Sequence, residues 1–332
     1  GNSSNNRTIS GFGFDPDFVW VKCRTSAFSH TLADIVRGTN ANLFANETSA
    51  EINPTTDIGR GGIGQVTTDG FIAVQGTSSM DNTNTSGQNY VSWGWNAGGT
   101  ASSNTDGSIT SSVSANTTSG FSIVSWTGSG ANATIGHSLG AVPKMIIIRR
   151  RTGSTTNWIV YHESIGNNNE LFLNLTNAST SSTRFQSTSP TSSVFSVSSN
   201  SAVNESSQSI IAYCFADTSM SKMGSYTGNG NADGTFVYTG FKPAFIIVKS
   251  SSTSQNWRIY DNKRNTFNVV DKKIFPNLSN AEGTASDLDF VSNGFKYRDS
   301  SVGINASGTS YIYMAFAENP FVASNFVPTT AR

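Results

Sequence analysis

The sequence predicts an all-β protein: three tandem antiparallel β-sandwich or jelly-roll-like units of about 100 residues each. Three observations carry this. The first is self-similarity at fixed spacing, which sets an architecture before any local reading does. Gly1, Gly128 and Gly228 each stand fifteen positions ahead of a proline (Pro16, Pro143, Pro243), and six positions after each proline comes a cation (Lys22, Arg149, Lys249). The second is the shape of the apolar runs. Phe18–Val21, Met145–Ile148 and Phe245–Val248 are short, unbroken and without helical period, as buried strands are. The third is composition: only 13% of residues are charged, about half the usual share. Ser, Thr, Asn and Gly fill the rest of the polar surface, and these favour turns and strand faces over helix interiors.

Residues 1–97 form the first unit, 98–120 a Ser/Thr/Gly-rich connector, 121–222 the second unit and 223–332 the third. In the first, Phe18–Lys22 reads as a strand, with Pro16 ahead of it where a missing N–H does no harm. Ser29–Gly38 could make a helical turn, but its register with the other units argues for a strand. Gly59–Gly64 is expected as a flexible loop; without a following Lys-Ser/Thr and a helix to cap, it fails as a phosphate loop. The connector is expected to hold an edge strand at Ser108–Val113. Strands are expected at Phe121–Trp126, Lys144–Arg149, Trp158–His162, Glu170–Asn174 and Ser209–Ala216 in the second unit. In the third they fall at Thr235–Tyr238, Ala244–Lys249, Trp257–Asp261, Lys273–Phe275 and Tyr311–Ala317. Each unit closes on an eleven-residue step from Asn to an aromatic: Asn84 to Trp95, Asn204 to Phe215, Asn305 to Phe316. Separate beads and one closed body around a pseudo-threefold axis both satisfy this pattern.

Lys plus Arg equals Asp plus Glu at 21 each, so there is no basic stripe for nucleic acid. No window of 18 apolar residues offers a membrane span. Cys23 and Cys214 read as small buried hydrophobes, and with three His there is no zinc spacing. No metal or cofactor is expected. Gly1 aligns inside the first motif, without the Tyr-Thr or Trp-Thr that precedes Gly128 and Gly228 in kind, so the chain is expected to be the C-terminal portion of something longer.

Asn46, Asn174 and Asn277 fall in register within Asn-x-Ser/Thr; side chains that hold a turn explain them better than glycosylation acceptors do. Asp34 with Arg37, and Asp261 with Arg264, fit a salt bridge ordering a turn better than a ligand clamp. The second unit has His162 and Ile165 there, and His30 stands where Trp158 and Trp257 follow Asn. Trp126, Tyr226, Trp158 and Trp257 are candidate sugar-stacking platforms, against the plainer reading of core aromatics. No carboxylate pair or histidine–nucleophile set has a meaningful spacing, so no catalytic residue is assigned and an enzyme is not expected.

Gly-Phe-x-Pro-x-Phe-Val/Ile-x-Val-Lys (13–22 and 240–249), Tyr-Thr-Gly-Asn-Gly (226–230), Ser-Asn-Gly-Phe-Lys (292–296) and Tyr-Ile-Tyr-Met-Ala-Phe-Ala-Glu-Asn-Pro-Phe (311–321) give the chain a family signature. It resembles a family of repeat domains encoded by tailed bacteriophages, many of them marine or infecting cyanobacteria. The resemblance covers essentially the whole chain. It implies a virion surface protein of tail-fibre or spike type, a homo-oligomer (a trimer in many fibres), bound to other virion proteins and to a bacterial surface glycan or receptor. Low charge with abundant Ser, Thr, Asn and aromatics suits glycan recognition. A capsid-decoration or appendage subunit is the alternative, and a surface-glycan depolymerase the third.

Overall fold

The computed structural model describes residues 1–57, 59–77 and 82–318, and over these the chain is an all-β fold of antiparallel sheets. Among the described residues, helical geometry is confined to the turns Glu163–Ile165 and Ser201–Asn204. The end of the expected third unit, including the Asn319-Pro320-Phe321 close, lies outside the described residues.

Each stretch builds two sheets, the core-facing one being the larger in the first two stretches and equal to its partner in the third. In the first, Leu43–Phe44, Thr31–Asp34, Phe18–Cys23 and Tyr90–Trp95 lie in that order, while Arg7–Ser10, Gly70–Val74 and Gly62–Thr67 form the smaller sheet. In the second, Thr180–Ser181, Asn169–Phe172, Ile159–His162, Met145–Arg150, Ser209–Phe215 and Phe121–Thr127 lie side by side, and Ala133–Gly136 pairs with Val194–Val197. In the third, Ser221–Thr227, Ser310–Ala317, Pro243–Ser250 and Arg258–Asp261 form one sheet. The other runs Phe236–Tyr238, Gly294–Tyr297, Gly283–Val291, Val270–Lys273.

The unbroken apolar runs have a direct cause: their strands are buried on both faces. Alternate residues point to opposite sides of a sheet. Val19 and Val21 pack with Ile63 and Phe71 between the two sheets of the first stretch. Ile146 and Ile148 do so with Phe195 in the second, and Ile246 and Val248 with Phe295 in the third. The intervening residues, Phe18, Trp20, Met145, Ile147, Phe245 and Ile247, meet in one core common to all three stretches. Separate beads are therefore not what the chain forms. Matched backbone bonds close the ring of core-facing sheets: Glu51 N donates to Arg151 O (2.9 Å), Ser179 N to Ser251 O (2.8 Å), and Glu282 N to Arg24 O (2.8 Å).

Two local expectations are corrected. The stretch 98–120 is part of a sheet rather than a connector. Ser111–Asn116 pairs with Phe121–Thr127, and Ser102–Asn104 pairs with Ser111–Asn116, extending the second larger sheet to eight strands. Val113 is the reason, since it is buried in the second stretch's own core. Gly59–Gly64 is loop only in part, because a strand begins at Gly62 and Ile63 is fully buried. A Cβ at Gly62 would stand 2.8 Å from Asn42 Oδ1, whose side chain bonds both the N–H and the carbonyl of Ile63. Ser29–Gly38 contains the strand Thr31–Asp34, as its register argued.

Lys22, Arg149 and Lys249 continue the inward-facing alternation and are buried. Lys249 Nζ donates to Ser250 O (2.6 Å) and Lys22 Nζ to Cys23 O (2.5 Å). Burial pushes Lys249 down to about 7 and Lys22 to about 8. The unfolded chain then holds more protons than the folded one above those values. Stability contributed by these groups therefore rises with pH from about 7 up to the ordinary lysine value near 10.5. Lys249→Met is expected to stabilise the fold at pH 7 by about 1–4 kcal/mol. The gain should vanish above the ordinary lysine value, as urea midpoints of both proteins across this range would show.

Candidate functional site

Asn46, Asn174 and Asn277 occupy matched positions with matched bonds. Their Oδ1 atoms accept the backbone N–H of His30 (2.9 Å), Trp158 (2.9 Å) and Trp257 (3.0 Å). Their amide nitrogens donate to Ser29 Oγ, Asn157 Oδ1 and Asn256 Oδ1. These bonds reach sixteen to twenty-one positions along the chain, so each Asn ties its turn to the residue leading into another strand rather than to its own backbone.

The residues so held reach across the ring. Trp158 Nε1 donates to Phe44 O and Trp257 Nε1 to Phe172 O, both at 2.9 Å, and His30 Nε2 meets Phe275 O at 3.0 Å. Each stretch thus caps a carbonyl of the one before it, and the first caps the third. The His30 exception has a local reason: Nδ1 accepts from Trp20 Nε1 at 2.9 Å. Trp20 fills space beside the imidazole, and the two rings meet edge to face.

Asp34 and Arg37 form a buried ion pair, and so do Asp261 and Arg264. Each carboxylate accepts both the backbone N–H and the guanidinium Nε of its arginine, at 2.5–2.8 Å. Each also accepts a donor from the next stretch: Tyr213 Oη to Asp34 Oδ2 (2.8 Å) and Trp93 Nε1 to Asp261 Oδ2 (3.1 Å). With no exposed face, neither pair is a ligand clamp.

The expectation that Arg37 and Arg264 only order a turn is corrected, because both arginines also hold a seam between stretches. Arg264 Nη2 donates to Ile259 O and Arg264 Nη1 to Glu282 Oε2, both at 3.0 Å. Glu282 in turn takes Arg24 of the first stretch at 2.9 Å. The Arg264 guanidinium also lies 5.7 Å from the ring centroid of Trp93 in the first stretch. Arg37 repeats the arrangement: its Nη1 meets Glu51 Oε2 at 3.1 Å, and Glu51 takes Arg151 of the second stretch at 2.8 Å. The physical reason is the guanidinium's donor count. Five N–H groups in a fixed fork exceed what one Asp can accept, so burial is tolerated only where further acceptors converge.

The closing strand of the third stretch has Met314 where the first two have Trp93 and Tyr213. A thioether donates no hydrogen bond, so a carboxylate facing it would be left short. His162 stands there instead, its Nε2 3.3 Å from Tyr313 O and its Nδ1 accepting Ser164 N at 3.1 Å.

Of the four aromatics expected as sugar platforms, three are buried and the fourth, Tyr226, is half-buried against other rings. Trp158 and Trp257 are fully buried in the common core. Trp126 is buried edge to face on Phe195. Tyr226, half-buried, stacks on Tyr311 (centroids 4.9 Å apart), and its hydroxyl bonds Ile304 O and Tyr297 Oη at 2.7 Å. Aromatic area is worth more in a core than at a surface, and strands buried on both faces draw these rings inward.

Among the described residues the exposed aromatics are Phe14, Phe236, Tyr238 and Phe267, and of these Phe236 and Tyr238 share one strand. On the strand Phe236–Tyr238, Val237 points into the third core while Phe236 (46% exposed) and Tyr238 (65%) share the opposite face. Gly294 stands opposite Tyr238 in register, and Phe236 Cε2 lies 3.1 Å from where a Gly294 Cβ would be, so the missing side chain lets the ring lie over the neighbouring strand. Lys296, opposite Phe236, holds Asp233 at 2.5 Å beside the rings. That ion pair keeps the Asp233 carboxyl below its usual range. Val237, Ile135 and Ile9 pair with Phe295, Phe195 and Phe71. The aromatic pair therefore matches Thr134 and Gly136 in the second stretch, and Thr8 and Ser10 in the first. This strand is legible in the sequence at Thr235–Tyr238 but its faces are not, because Phe236, Val237 and Tyr238 are all apolar and show no alternation. Among the described residues no group of three or more His, Cys, Asp or Glu could hold a metal ion. Cys23 and Cys214 are buried free thiols, and burial pushes Cys214 well up.

The fold defines an all-β body of three sheet pairs closed on a common core, with Phe236 and Tyr238 exposed side by side on an edge strand. The chain belongs to the family described as a domain of unknown function, DUF7483, whose model matches residues 1–320. No curated protein and no solved structure matches it.

Proposed function

We propose that this chain is a non-enzymatic binding body on the outside of a phage particle, of the tail-fibre or spike type its sequence resembles, and that it attaches to host-surface glycan. The observation that carries the glycan reading is the Phe236–Tyr238 face. Two rings on one side of an edge strand present flat apolar surface, flanked by the Asp233–Lys296 pair and the exposed Asn293 as hydrogen-bonding groups. Ligand sites combine apolar faces with a few placed polar groups in this way. In a homo-oligomeric fibre, repetition of a weak site would raise the overall affinity through avidity.

The test is binding to an array of bacterial surface polysaccharides, followed by titration of the best ligand. The double variant Phe236→Ala/Tyr238→Ala is expected to weaken binding at least tenfold, about 1.4 kcal/mol, with an unchanged Tm because both rings are exposed. Undiminished glycan binding by the double variant would sink the assignment to this face. Failure of the unaltered protein to bind any polysaccharide, with capture of virion proteins instead, would favour the appendage-subunit reading.

A further inference from the structure

At the Phe236–Tyr238 face the third stretch departs from the other two in its charges as well as its rings. Lys296 stands opposite Phe236 in register, where the first stretch has Ile72 opposite Thr8 and the second Ser196 opposite Thr134. Two positions further, and so on the same side of the strand, Arg298 stands in place of Val74 and Ser198. The ladder continues that far, because Arg298 N donates to Asp287 O at 2.8 Å. Asp233, ahead of Phe236, stands in place of Asn5 and Ala131. Two rings, two cations and a carboxylate thus gather where the other stretches have none of them.

The fold accounts for Arg298. Asp289 is 6% exposed, and Arg298 Nε donates to its Oδ2 at 2.6 Å. A buried carboxylate requires such a partner. Lys296 has no comparable duty. It stands opposite Asp289 in register, yet its ammonium goes to Asp233 at 2.5 Å. Asp289 Oδ1 is left without a hydrogen bond among the described residues. The Asp233 side chain is 78% exposed, and a pair so open to water contributes little to stability. Arg298 acts on the same carboxyl: with Lys296 it holds Asp233 below its usual range. A carboxylate that the fold does not need therefore rests on one cation, in the field of a second, beside an exposed ring.

Taking the Phe236–Tyr238 face as the glycan site, we propose that Lys296 and Arg298 form its carboxylate subsite, that the glycan carries hexuronate residues, and that Asp233 fills the subsite until a ligand carboxylate displaces it. A pyranose stacked on Phe236 projects its C5 carboxylate from the ring edge, toward a cation on the adjacent strand about 5 Å away. Arg298, oriented through its Nε by Asp289, keeps further N–H groups for that oxygen pair. A carboxylate is favoured over a sulfate or phosphate ester because the group already held there is a carboxylate. Displacement exchanges one for the other and leaves the local charge balance unchanged. Asp233 is then a built-in competitor, and it lowers the apparent affinity by the fraction of time it holds the subsite.

The experiment titrates the full chain with bacterial polysaccharides, each in native form and after reduction of its uronate carboxyls to alcohols. Native uronate polysaccharides are expected to bind, and reduction to weaken them about tenfold or more. Asp233→Asn, which removes the charge but keeps the shape, should tighten uronate binding about threefold or more. Lys296→Gln should weaken it about tenfold. Neither change should move Tm or the binding of the reduced forms. Equal binding of native and reduced forms, with both lost in Phe236→Ala/Tyr238→Ala, would overturn the subsite and leave the ring face standing as a glycan site. No binding of any polysaccharide would overturn both. Unchanged or weaker uronate binding by Asp233→Asn would overturn the displacement. Preference for sulfated or phosphorylated polysaccharides would overturn the assignment to uronates.

Discussion

Acidification from pH 7 to pH 4 is expected to loosen the ring at two of its three seams, through His30 and His162. Both imidazoles are buried and neutral, and both are fully committed: Nε2 faces a carbonyl of another stretch while Nδ1 accepts an N–H from its own. A second proton would sit on Nδ1, pointing at a donor. Burial accordingly lowers His162 to about 4 and His30 well below the ordinary histidine value of 6.5. The sign follows from proton counting. Below 6.5 the unfolded chain binds protons that the folded one refuses, so the stabilisation is complete above 6.5 and is lost as pH falls toward 4. For His162 the loss by pH 4 amounts to about 3 kcal/mol, at roughly 1.4 kcal/mol for each unit of displacement. Urea midpoints at pH 7, 5.5 and 4.5 would measure it. His162→Gln, which keeps a donor and an acceptor but does not titrate, should flatten part of the slope. An unchanged slope in that variant would refute the assignment.

Asp34→Ala should be the most damaging single change at the seam between the first and second stretches, at about 3–5 kcal/mol. The carboxylate and its arginine are both completely buried, so the variant leaves the Arg37 cation with only Glu51 as counter-charge and the Tyr213 hydroxyl without its acceptor. The chain itself supplies a control. The triple change Asp34→His, Arg37→Ile and Tyr213→Met copies the His162, Ile165 and Met314 set from the next seam. It removes the buried charge and the orphaned donor together, so it should cost less than the single change despite altering three residues. A larger loss in the triple variant would mean that the Asp/Arg pair and the His/Ile pair are not alternative solutions to one contact.

These contacts show why the sequence could be read only so far. The spacing from Pro16, Pro143 and Pro243 to Lys22, Arg149 and Lys249 located the central strands, because a local apolar run between turn residues needs no partner to be recognised. The same runs hid their two faces. Where Val19 and Trp20 are both buried, alternation disappears from the sequence, and with it any sign of which residue faces the common core. The sugar-platform expectation failed for that reason: Trp158 and Trp257 were visible as matched aromatics, but their indoles reach carbonyls 114 and 85 positions away. Arg264 was legible only as the partner of Asp261 three positions earlier; its link through Glu282 to Arg24 spans most of the chain.

By itself the sequence determined the all-β class, the positions of the central strands, the buried cysteines and the matched Asn and Asp/Arg positions. Each of these depends on residue type and short spacing. The tertiary structure alone decided that three sheet pairs close on one core, that His162 answers Met314, and that Phe236 and Tyr238 rather than the tryptophans face outward. Those outcomes depend on which strand edge or face meets which. Such pairings span dozens to hundreds of residues and leave no trace in any local window.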